Sequence, residues 1–110
     1  MNDGQTTVRE LRELVGQFVA ERSWEPFHTP KNLAMSLAIE AAELMEHFQW
    51  LTGEQSLALA QQPDELEPVA EELADVLAYT LAMANALGLD LAAALERKMA
   101  LNRLKYPKPA

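Results

Sequence analysis

Cysteine is absent from the 110 residues, and that one absence removes disulfides, thiolate catalysis and Cys-type zinc sites together. Basic residues are scarce: 9 Lys and Arg stand against 17 Asp and Glu, for a formal net charge of −8. No basic stripe is available to neutralise phosphates along a duplex, so a nucleic-acid partner is not expected. Long apolar runs are missing too, because carboxylates interrupt each stretch before it reaches membrane-spanning length, and no membrane partner is expected. Met1 is followed by polar residues with no apolar signal core, which gives a cytoplasmic location as the expectation. Strand-type alternation does not occur in the sequence.

What is present is a hydrophobic content of 49%, too high for a disordered chain. The length fits one domain with a thin core, so neighbouring subunits are expected to supply part of the burial. Val8, Leu11, Leu14, Val15, Phe18 and Val19 recur at spacings of three and four, predicting a helix over 6–22 with Arg9, Glu10, Arg12 and Glu13 in solvent. Residues 23–30 hold two prolines and two aromatics and read as a structured loop, with Thr29 capping a helix that opens on Pro30. That second helix is expected to run over 30–51, ending at Gly53, and to be buried nearly all round. Residues 54–68 read as a connector, the third helix as 66–87 stopping at Gly88, and the fourth as 91–104 behind an Asp90 cap. The expected architecture is all-α, a four-helix-bundle-like single domain over 1–110 with flexible ends at 1–5 and 108–110.

Four acids do not suit that architecture. Glu40 and Glu43 lie three apart in an otherwise apolar run, and Glu72 and Asp75 repeat the spacing on the next long helix. Residues three apart share a helix face, so two facing helices would gather all four. Clustered carboxylates leaving water must protonate or take up a cation. Hard oxygen ligands without Cys or a suitable His point to Mg²⁺, with Mn²⁺ as its substitute, and Mg²⁺ commonly completes its shell with substrate phosphates. The alternative is a solvated acidic stripe, with Glu71, Glu72 and Asp75 favoured by the dipole of an early helical turn.

Trp24, Phe27, His28 and Trp50 lie before or at the end of the first acidic helix, where aromatic rings can stack on a base; core packing is the alternative for each. Lys31 opens that helix, where its ammonium and the helix N-terminus both attract phosphate, and Lys98 and Arg103 add cations further on. Lys98, Asn102 and Tyr106 recur every four residues, presenting one polar edge.

These blocks resemble the MazG-like, all-α nucleoside triphosphate pyrophosphatase superfamily, marked by E-x-x-E on one helix and E-x-x-D on the next: here Glu40, Glu43, Glu72 and Asp75. The stretch from Trp24 to Leu33, Phe48-Gln49-Trp50, and Lys98 to Pro107 look like its short dCTP pyrophosphatase branch, a resemblance covering 18–107. It implies a Mg²⁺-dependent hydrolase that cuts dCTP or a related nucleotide between the α- and β-phosphates, with the four acids as metal ligands. The base would be Glu43 ahead of Glu40. Lys31, Lys98 and Arg103 would bind phosphates, His28 and Trp50 would flank the base, and Tyr79, Asn102 and Tyr106 would contact sugar or base. Lys31 stands where the branch suggests arginine, keeping the charge without its bidentate geometry. The resemblance also implies a homo-oligomer, first a tetramer and otherwise a dimer, serving pool balance or cleansing. Two other readings stay open: a non-catalytic helical assembly module with a metal site, and a pyrophosphatase of the same superfamily with another nucleotide preference.

Overall fold

Short polar side chains start four of the five α-helices of the computed structural model, which describes residues 1–110. Thr7 and Glu10 form a capping box on α1 (Val8–Glu21). Thr29 accepts from the Asn32 amide to open α2 (Pro30–Glu46), and Asp90 accepts from the Ala93 amide to open α5 (Leu91–Lys105). Each such oxygen satisfies an amide that has no partner within its own helix. Between these lie a 3₁₀ turn at Glu25–Phe27, α3 (Gly53–Ala58), a second 3₁₀ turn at Leu59–Gln61, and α4 (Pro63–Leu87). α4 ends on Gly88 at φ 65°, a left-handed position that glycine takes without Cβ strain.

The all-helical expectation holds, while the helix count and several boundaries change. The second helix stops at Glu46, not 51, and Gly53 begins α3 instead of ending α2. Thr52 and Gln55 make a second capping box there, which commits Gly53 to a new helix start. The third long helix begins at Pro63, three residues before its expected start, and takes in Pro68. Pro63 at the first helical position costs no hydrogen bond, and Asp64 and Glu65 favour the positive end of the helix dipole. Pro68 then removes one bond, the one its missing N–H would have given to the Asp64 carbonyl, and the helix continues through it.

α2 packs along α4, and α1 lies on α4's later half. The pairing is antiparallel: Leu33 and Ser36 share a cleft with Tyr79, while Glu40 and Glu43 meet Glu72. Leu33, Leu81, Ala82 and Ala84 are buried where α1, α2 and α4 converge, and Leu59 and Val69 are buried where the second 3₁₀ turn meets α4. Arg12 is not merely solvated, as its helical position had suggested. It donates to Asn85 Oδ1 at 3.0 Å, to the Ala84 carbonyl at 3.2 Å and to the Leu89 carbonyl, tying α1 to carbonyls at the end of α4.

α2 is not buried all round. Met35, Ile39 and Met45 are 50%, 59% and 60% exposed, because one chain has too few helices to cover it. α5 leaves α4 at 105° and forms no packed interface with another helix. No single helix is long and apolar enough to cross a membrane.

Candidate metal and nucleotide site

The seam between α2 and α4 determines which side chains meet. Glu40 and Glu43 are a turn apart on α2 and face Glu72 on α4, and one carboxylate oxygen from each lies within 4.8 Å of the others. Asp75, one turn along from Glu72, stays outside that triad and is exposed, yet its charge still acts on Glu40. Oε2 of Glu40 and Oε2 of Glu72 are both buried and have no hydrogen-bond partner.

Two orphaned acceptors side by side are costly, and between like-charged carboxylates a proton or a cation relieves both at once. Burial in the seam, followed by the neighbouring carboxylates of Glu72, Glu43 and Asp75, pushes the Glu40 pKa up to about 7. The donor set is oxygen-only and anionic, which fits a hard divalent cation and does not fit a thiophilic metal.

One helical turn from Glu40 along α2 is Ser36, and one turn from Asp75 along α4 is Tyr79; both line a cleft of about 260 Å³ with Trp24, Phe27, His28, Asn32 and Leu33. The 3₁₀ turn holds this aromatic wall. Ser23 takes φ 55° just after α1 and reverses the chain, and Trp24 then meets Phe18 edge-on at 5.6 Å and His28 at 6.2 Å. Arg22 stacks over the opposite partner, its guanidinium 3.7 Å from the Phe18 ring centre. A larger cleft of about 370 Å³ between α1 and α4 shares His28, but Glu25 is the only carboxylate lining it and none of the acid triad reaches it.

The remaining residues singled out by sequence lie elsewhere. Lys31 is exposed on the first turn of α2, nine residues or about 13 Å of helix from Glu40. Trp50 is 87% exposed in the turn after α2 and lines neither cleft. Lys98, Asn102 and Arg103 are on α5, with Tyr106 just past its end and 67% exposed, and α5 is packed against no acid-bearing helix of its own chain. Conversely, Asn32 and Ser36 were not singled out. Their spacing carried the signal, since positions 32, 36 and 40 recur every four residues and share the Glu40 face.

Fold and site thus define an all-α protein with a carboxylate cluster in a helix seam beside an aromatic cleft. The MazG-like family model matches residues 35–110, and the chain belongs to that family. It is 43% identical over 103 residues to dCTP pyrophosphatase 1 of Rattus norvegicus and 42% identical to that of Homo sapiens. Each match covers 94% of this chain and 61% of the relative's length. A crystal structure of a pyrophosphatase from Archaeoglobus fulgidus DSM 4304 is similar with a TM-score of 0.85 at 37% identity, covering 98% of this chain and 99% of that one.

Proposed function

We propose that the protein is a Mg²⁺-dependent nucleoside triphosphate pyrophosphohydrolase that takes dCTP or a related cytidine nucleotide to the monophosphate and pyrophosphate. The observation that carries this reading is the pair of partnerless oxygens on Glu40 and Glu72, beside Glu43 and one helical turn from an aromatic cleft. The pyrophosphatase relatives support the reaction class, and the dCTP pyrophosphatases support the base.

Glu40, Glu43, Glu72 and Asp75 would hold the cation, which supplies neutralisation of phosphate charge and acidification of water. The cleft between Trp24 and Tyr79 receives the base and sets the sugar-phosphate chain running along the seam toward the acids. Glu43, ahead of Glu40, accepts the proton of the attacking water. His28 stays with the base. Lys31, Trp50, Lys98, Asn102, Arg103 and Tyr106 are assigned to substrate across a subunit boundary, since their own chain leaves all but the half-buried Asn102 on open surface. The uncovered apolar faces of α2 and α5 support a homo-oligomer; the family resemblance puts a tetramer ahead of a dimer.

The test is pyrophosphate release from eight ribo- and deoxynucleoside triphosphates with Mg²⁺, against the same reactions in excess EDTA. Release that needs the metal and favours dCTP supports the reading. Silence with all eight substrates overturns it in favour of a non-catalytic assembly module.

A further inference from the structure

We infer that Asn32 selects the base, accepting a hydrogen bond from the exocyclic amino group of cytosine with its Oδ1. The inference rests on the reading of the aromatic cleft as the base pocket. Besides the indole N–H of Trp24, which only donates, four polar side chains line that cleft: His28, Asn32, Ser36 and Tyr79. A hydroxyl both donates and accepts, and a neutral imidazole offers one nitrogen of each kind, so three of the four adapt to either polarity of base edge.

Asn32 cannot adapt. Its Nδ2 donates to the Phe27 carbonyl at 3.0 Å, and its backbone amide is held by Thr29 Oγ1 at 3.3 Å. A carbonyl accepts and never donates, so turning the amide over would set oxygen against oxygen at Phe27. The nitrogen end is therefore fixed at the turn, and Oδ1 is left as the opposite end, engaged by no hydrogen bond of the folded chain. An acceptor of fixed polarity distinguishes cytosine, which presents N4–H₂, from uracil and thymine, which present the O4 carbonyl at the same place. The 3₁₀ turn thus does two things: it builds the aromatic wall with Trp24 and Phe27, and it locks the group that reads the base edge.

The experiment compares kcat/KM for dCTP and dUTP in the Mg²⁺-loaded protein, in Asn32→Ala, in Asn32→Asp and in Trp24→Ala. Because both substrates are measured on one preparation, their ratio does not depend on the fraction folded. The wild-type ratio is expected to be roughly 10 or more, the discrimination one oriented hydrogen bond provides. Asn32→Ala should bring it close to 1, mainly by losing dCTP turnover, and Asn32→Asp, which sets a carboxylate oxygen against the Phe27 carbonyl and so loses the lock, should lower it as well. A wild-type ratio near 1, or an Asn32→Ala protein that loses both substrates equally, overturns the assignment and leaves Asn32 as a loop anchor. Trp24→Ala separates this from the parent reading. If it raises KM for both nucleotides while Asn32→Ala leaves the ratio unchanged, only Asn32 is wrong; if it leaves every KM unchanged, the cleft is not the base pocket.

Discussion

Glu40 is held in a state that folding alone does not favour. Its Oε2 is buried without a partner, its neighbours are like-charged, and its pKa stands at about 7 against an ordinary 4.5. A carboxyl whose pKa is raised by folding binds its proton more tightly in the native state, so its stabilising effect is full below pH 4.5 and is lost as pH rises toward 7. The melting temperature of the protein in EDTA should therefore fall between pH 5 and pH 8, and Glu40→Gln should flatten that slope. A cation that binds the ionised cluster reverses the preference, so added Mg²⁺ should stabilise most at pH 8. A pH-independent melting temperature in EDTA would remove the basis for this account. On activity, Glu40→Gln and Asp75→Asn should each cost more than the ~10–100-fold typical of losing an outer-shell partner, while the proteins stay folded by circular dichroism. Trp50→Ala should raise KM with little change in kcat if Trp50 stacks on the base, and an unchanged KM for every nucleotide would rule that out.

At the scale of elements, the caps and the acid spacing are legible in the sequence, because both are local. Thr29, Asp90 and Gly88 stop or start helices through bonds to residues within four positions, and E-x-x-E places two carboxylates on one face wherever a helix forms. What the sequence concealed was either a competing local signal or a partner far along the chain. Gly53 reads as a stop until Thr52 and Gln55 are seen capping α3, and Arg12 reads as solvated until its carbonyl partners at Ala84 and Leu89 are known. Arg12 also gives an element-scale prediction. Its guanidinium ties α1 to α4 beside the bond that Asn85 Nδ2 donates to the Arg12 carbonyl, and hydrogen bonds from a charged donor contribute about 1.5–3 kcal/mol each at most sites, less where exposed. Arg12→Ala should cost about 1–3 kcal/mol in urea unfolding. Turnover per folded molecule should be nearly unchanged, since none of the acid triad is among its partners.

The whole molecule is too open to be a finished globule. Its radius of gyration is 16.6 Å, where a compact chain of this length has about 13 Å. Only 7 of 110 residues are buried, and Leu95, Leu101 and Leu104 on α5 are 61%, 51% and 82% exposed. Apolar surface of that extent on a projecting helix is what a subunit interface covers. The protein should therefore sediment as a multiple of its 12.2 kDa chain, and Leu95→Asp with Leu101→Asp should dissociate it and abolish turnover together. Dissociation alone does not say why activity is lost. If α5 reaches the acids of a neighbouring subunit, then Glu40→Gln chains and Lys98→Ala chains, each inactive alone, carry complementary defects. In a mixed pair one site takes both defects and the other takes neither. Equal mixing gives mixed pairs half the time with one of two sites intact, so about a quarter of wild-type activity should return after unfolding and refolding the two chains together. Recovery at that level would place Lys98 in a neighbour's site. No recovery, with mixed pairs demonstrated by mass spectrometry, would place α5 back over its own acids and require it to fold down against α2 and α4.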